Sequence, residues 1–377
     1  MKLNWKPYSK ILLLFLVVRL LLGVWMWGVR QAFPNDPSTV APNMYKGVPL
    51  ETNSWLEPWQ HWDTPQYQAI ALRGYKAFDT ALFTPPLFPF LMGRTAPFFG
   101  GDTLAAGLFL SGLACLACLL AAYQIALYEF NDETKAFRAA LYLAVFPTAF
   151  FLSAAYSESL FLMGAMFSIY FTRKQRWVAA GLCGALAALT RITGPLLVVP
   201  LAFAAWQAWR SGKWCAWLAP LLTGLGALVF PLYVWLGLHQ SPFAILTAST
   251  TRGGRLTVPG WNLLVAAGRI LHGQLVEENL LELSFTVLFI LLTIFIWKKL
   301  PRIYGIYSVT LMLFFLARLG SPQPLVSMAR YTLEVFPAFL LLAGWGASPR
   351  VNRLVLYLSL LGLLFFSAQF AIWGWVG

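Results

Sequence analysis

The chain has 377 residues, 59% of them hydrophobic and only 11% charged, with a mean hydropathy of +0.68. A soluble domain carries about 25% charged residues, so this composition excludes a soluble enzyme and indicates an integral membrane protein, read here as one membrane domain over residues 1–377. The net charge of +13 comes without a basic helix or zinc-finger spacing, which argues against a nucleic-acid partner and for cationic loops beside anionic lipid headgroups.

In chain order, Lys2, Lys6 and Lys10 precede an apolar run from Ile11. No small-residue cleavage site follows, so the run reads as an uncleaved first helix. A spanning helix takes about 20 mostly apolar residues. That rule predicts helices near 10–29, 104–128, 138–153, 156–172, 177–190, 194–209, 215–237, 284–297, 303–318, 332–347 and 354–374. The expected fold class is therefore all-α and polytopic, with about eleven transmembrane helices. If the N-terminus is inside, the short inner loops hold Lys135 and Arg138; Arg173, Lys174 and Arg176; Arg210 and Lys213; Lys298, Lys299 and Arg302; and Arg350 and Arg353. This is a positive-inside pattern. Two long outer loops remain, about 30–103 and 238–283, and most of the acids lie there. Cys115, Cys118, Cys183 and Cys215 all sit in or beside apolar runs and read as packing residues, so we expect no metal, cofactor or disulfide framework.

The first outer loop is too long for a plain connector. Within it, "PWQHWDTPQYQAIALRGY" runs from Pro58 to Tyr75. Thr64 followed by Pro65 has the pattern of a helix start, and Tyr67, Ile70, Ala71 and Gly74 form one stripe. We expect a short interfacial helix from 65 to about 73, ended by Gly74. "TPPLFPFLMGRTAPFFGG" follows as a second interfacial element, too proline-rich for a regular span.

Asp63 stands just before that helix. It is either a capping residue or an ionised carboxylate held at membrane level as a general base. His61 is either a solvated loop residue or a substrate contact. Trp55, Trp59 and Trp62 are either interfacial anchors or stacking surfaces for a sugar. Glu158 in "SAAYSESLF" and Arg191 in "LTRITGP" lie at membrane level on the outer side, where ionisable groups pair with each other or meet a ligand. For Arg191 the candidate partners are Glu158 and a lipid phosphate. Arg330 and Tyr331 in "SMARYTLEVFP", and Arg252 and Arg255 in "TTRGGRL", add cations on the same side. Together they suggest an anionic substrate with a lipid tail. A transporter or flippase would also carry charge at membrane level, but no repeated pattern of broken helices is seen.

These motifs resemble a known family. "HWDTPQYQAIALRGY" is similar to the W-D-x-x-x-Y/F-x-x-I-A-x-x-G-Y signature of the PIG-V-like membrane mannosyltransferases. "LFTPPLFPFL", "FPTAFFLSAAYSESLF", "AALTRITGPLLVVPL" and "SMARYTLEVFPAF" resemble that family's later blocks, in the same order over roughly 60 to 340. The resemblance implies a class C glycosyltransferase fold, a polyprenyl-phosphate sugar donor, a catalytic acid at Asp63, and a central acid and arginine at Glu158 and Arg191. It also implies Trp62 and Tyr67 in the substrate region and a glycan or glycolipid acceptor. The family's usual arginine before Trp-Asp is His61 here. The compact chain suggests a bacterial cytoplasmic membrane, with the active site on the outer face. Another class C enzyme, with a different sugar or a protein acceptor, is the alternative reading.

Overall fold

The structure is a computed structural model and describes residues 6–34, 42–78, 80–245, 254–274 and 276–376. The elements are helices, apart from one two-residue strand pair. In chain order the helices are α1 (Lys6–Ala32), α2 (Thr64–Arg73), α3 (Leu87–Thr95), α4 (Thr103–Phe130), α5 (Glu133–Ala144), α6 (Glu158–Arg173), α7 (Trp177–Thr190), α8 (Val198–Trp209) and α9 (Leu218–Leu236). They continue with α10 (Trp261–Leu271), α11 (Val276–Lys299), α12 (Arg302–Ala317), α13 (Met328–Tyr331), α14 (Pro337–Trp345) and α15 (Pro349–Ala371). Among the described residues, five stretches are long and apolar enough to cross a membrane: Pro7–Ala32, Thr103–Phe130, Trp214–Leu236, Asn279–Lys299 and Pro349–Ala371. Many leucines on these helices point outward, such as Leu20, Leu228 and Leu361. That is how a surface solvated by lipid is built, since lipid tails are as apolar as leucine.

Two predicted helices are broken, both at a proline. The 138–153 prediction is replaced by α5, which ends at Ala144, and a 3-10 turn at Ala149–Leu152. Pro147 lies between them, where it removes an N–H donor and clashes with the preceding turn. Likewise, 332–347 is replaced by a 3-10 turn at Thr332–Glu334, which follows directly on α13, and by α14, which starts at Pro337. α5 begins two residues after α4 because Asn131 takes a left-handed conformation and Asp132 caps the new helix, accepting from Thr134 and Lys135.

The chain forms two compact units. The first contains Met1–Ala81, Pro86–Met163 and Leu342–Val376; the second contains Leu82–Pro85 and Gly164–Leu341. In the first, α1 packs against α4, α5 and α15, and α2 and α3 pack on each other and on α4. In the second, α7 lies close along α9. A Cβ on Gly184 would fall 2.1 Å from the Thr223 hydroxyl, and one on Gly226 2.6 Å from Ala185. Small residues allow this close backbone approach, the usual device for helix pairs in lipid. Also in the second unit, β1 (Arg255–Leu256) pairs antiparallel with β2 (Arg318–Leu319), with Arg255 opposite Leu319 and Leu256 opposite Arg318.

Candidate active site

In the first unit, α2 carries the acid. Asp63 is its N-cap residue, yet the Asp63 side chain makes no capping bond. Instead, one carboxylate oxygen accepts from the Gln66 amide at 2.9 Å. The Asp63 backbone N–H donates to the Tyr156 hydroxyl at 2.9 Å, and that hydroxyl donates to the His61 carbonyl at 3.3 Å. Tyr156 is fully buried, so the acid's main chain is pinned from below while the residue itself stays partly accessible. One residue on from Tyr156, Ser157 shares a 2.8 Å hydrogen bond with the Tyr67 hydroxyl. Glu158 follows as the first residue of α6 and is 2% exposed. The first unit thus gathers Asp63, Tyr67 and the Tyr156–Glu158 segment, with Gly74 ending α2 at a positive φ of 69°.

His61 is wholly buried. Its Nδ1 is 2.8 Å from the Phe370 carbonyl and its Nε2 is 3.3 Å from Glu57. Each ring nitrogen thus has an oxygen within hydrogen-bond reach. Glu57 also pairs with Arg30 at 2.8 Å. Burial pushes the Glu57 carboxyl up, but His61 and Arg30 outweigh it and hold the group below its usual range.

The sign of that shift fixes a pH dependence. A lowered folded value means that the stabilisation is fully present above the ordinary value of 4.5 and is lost as pH falls through the folded value. Glu57→Gln should therefore lower Tm at neutral pH, and the gap to wild type should close below that range. A Tm gap that stays constant into strong acid would show that the charge of Glu57 contributes nothing.

The C-terminal end of the chain completes this unit. Trp373 lies 4.2 Å from the His61 ring, and Trp375 stands edge-on to Trp62 at 4.8 Å. The Trp62 indole donates to the Gly374 carbonyl at 3.2 Å. These contacts hold Trp62 in a left-handed conformation, φ 56°, that bulky residues rarely adopt. Trp55 stacks on Trp27 at 4.6 Å, and Trp59 is buried.

The second unit holds the arginines. Arg191 is the C-cap of α7 and is 8% exposed. Its Nε lies 2.9 Å from Glu334, an ion pair off hydrogen-bond alignment. Glu334, 2% exposed, also accepts from the Thr193 hydroxyl at 2.7 Å, and its own carbonyl accepts from Tyr307. The guanidinium of Arg191 is 5.9 Å from the centre of the Tyr331 ring, and that of Arg318 is 5.0 Å from it. Arg318 also lies 5.8 Å from Phe83. Arg330 is buried. Burial raises the Tyr331 hydroxyl, but Arg318, Arg330 and Arg191 more than reverse this and leave it below the ordinary tyrosine value. Neither Arg318 nor Glu334 was singled out in the sequence. Arg255, exposed on β1, is set beside β2 by the strand pairing. Arg252 lies outside the described residues.

Residues 8–210 match the family described as mannosyltransferase (PIG-V). The match spans more than half of the 377 residues. The chain belongs to the PIG-V mannosyltransferase family. Among solved structures, this PIG-V-family protein is similar to ArnT from Cupriavidus metallidurans bound to undecaprenyl phosphate, with a TM-score of 0.53 and 15% identity over 93% of this chain and 62% of that one. The apo state of ArnT gives a TM-score of 0.51 and 16% identity over 78% of this chain and 56% of that one. At such identities the likeness speaks to the fold alone. The chain spans about six tenths of the ArnT chain. A comparison with curated protein sequences finds no match. The family match contains Asp63, Glu158 and Arg191, while Arg318, Arg330 and Tyr331 lie beyond it.

Proposed function

We propose that this protein transfers mannose from a polyprenyl-phosphate donor to a hydroxyl of a glycan or lipid-linked acceptor on the extracytoplasmic face, inverting the anomeric centre. The observation that carries the donor class is the cluster of Arg191, Arg318 and Arg330 around Tyr331. Arg191 is matched by Glu334. Arg318 is half-buried, and no carboxylate among the described residues pairs with it. A guanidinium held like this is a fork for phosphate oxygens. ArnT, of the same fold, is described with undecaprenyl phosphate bound, which supports the same donor chemistry here.

The reaction then needs two roles. Asp63 accepts the proton of the acceptor hydroxyl as its oxygen bonds to the anomeric carbon. The bond from that carbon to the phosphate oxygen breaks, and the guanidinium cluster stabilises the charge that builds on the departing polyprenyl phosphate. Arg255 extends the cationic surface, and Arg252 belongs to the same loop by sequence. Trp62, Tyr67 and Glu158 line the substrate side. His61 acts by positioning, fixing the backbone that leads into Asp63.

The direct test uses protein in nanodiscs with polyprenyl-phosphate mannose and an acceptor-rich membrane extract, following release of polyprenyl phosphate. Release is expected with mannose and weaker with other sugars. Neither release nor donor binding would overturn the donor assignment. Because guanidinium groups supply the charge, turnover should also survive a divalent-metal chelator. Loss of activity that added metal restores would show that the arginines do not suffice.

A further inference from the structure

The first unit has a polar cavity whose lining does not include Asp63. It lies among the start of α1, the last third of α4, the start of α5 and the start of α15, and has a volume of about 420 Å³. Lys10, Arg138, Tyr123, Asn352 and Glu133 bring polar groups to it, and Leu356 helps to form an apolar wall. The Tyr123 side chain is 2% exposed, yet its hydroxyl has no hydrogen-bond partner among the described residues. A buried hydroxyl left this way costs free energy, so a ligand that accepts from it gains binding where the protein alone loses stability.

The charges say what kind of ligand. Lys10 and Arg138 face one carboxylate, Glu133, which is exposed to solvent. Among the described residues, neither cation is in an ion pair. Asp132, next in sequence, is already matched by Lys135 at 3.3 Å. Asn352 accepts from Tyr142 through its carbonyl oxygen at 2.6 Å, which points its amide donor elsewhere. The cavity therefore offers an excess of donors and of positive charge above an apolar wall. One turn on from Leu356 along α15, on the same helix face, Leu360 continues that wall and is exposed. Cationic pockets between membrane helices bind phospholipid headgroups for this reason.

We propose that this cavity binds the phosphate of an anionic membrane lipid, with Arg138 and Lys10 as cationic contacts and the Tyr123 hydroxyl as the buried donor. The acyl chains lie along α15. The site is independent of the transferase chemistry.

Native mass spectrometry of the full chain tests this, with phosphatidylglycerol and phosphatidylcholine of identical acyl chains supplied together. Wild type should retain phosphatidylglycerol over phosphatidylcholine by about tenfold, the scale of a charge-assisted hydrogen bond. Arg138→Gln should bring retention close to parity. Tyr123→Phe removes one oxygen and keeps the ring, so it should lower retention several-fold in a protein whose Tm is not reduced. Equal retention of the two lipids by wild type, or unchanged preference in both variants, would overturn the proposal. Displacement of phosphatidylglycerol by millimolar inorganic phosphate would assign the cavity to the free anion and overturn the lipid reading.

Discussion

Asp63→Asn should abolish sugar transfer and leave the protein folded. Removing a general base costs about 10²–10⁴-fold in rate, and the variant isolates that loss. Asn retains an oxygen that accepts from Gln66, as Asp63 does at 2.9 Å. The backbone bond to Tyr156 and the two bonds from Gln66 and Tyr67 to the Asp63 carbonyl do not involve the side chain. Tm and donor binding should thus match wild type while kcat falls. Retained turnover would remove the base assignment. Loss of turnover together with loss of donor binding would instead make Asp63 a binding residue. The side chain's failure to cap its own helix is what makes the experiment sharp: a capping Asp would cost stability when replaced, and this one should not.

Local chemistry was legible in the sequence, and long-range pairing was not. The end of α2 follows from Gly74, because only glycine takes its φ of 69° without strain. The acid stands out because it is isolated in an aromatic loop. By contrast, the packing of His61 on Phe370 and Trp373 joins residues about three hundred positions apart, and no periodicity encodes that. The partner of Arg191 was sought at Glu158 or in a phosphate. The structure supplies Glu334, which in sequence looked like one more acid in the late Arg-Tyr block. Arg318 was hidden as the last residue of an apolar run. It matters because α12 stops at Ala317 and Arg318 turns into β2 opposite Leu256. Pro147 and Pro337 were visible from the start, and both broke helices that hydropathy alone would have continued.

Two of the arginines around Tyr331, Arg318 and Arg191, should separate cleanly. Arg318→Gln is expected to raise the donor KM by about 10–100-fold, the loss of one or two hydrogen bonds to a charged group, with little change in Tm. Its side chain is half-buried, and its protein contacts are the rings of Phe83 and Tyr331 and the Tyr331 hydroxyl. Arg191→Gln is a different experiment. It removes the cation 2.9 Å from the Glu334 carboxylate, which is 2% exposed, and breaking one side of a buried pair costs about 3–5 kcal/mol. That variant should lose stability first, whatever it does to donor binding. Arg318→Lys keeps the charge and loses the planar fork, so it should recover part of the affinity. A donor KM that Arg318→Gln leaves untouched would return Arg318 to a packing role and shift the phosphate to Arg330 or to the loop bearing Arg255. A Tm that falls as far for Arg318 as for Arg191 would show that Arg318 holds the unit together instead of waiting for an anion. The two readouts, KM for one arginine and Tm for the other, are what distinguish a ligand site from a structural ion pair within the same few ångströms.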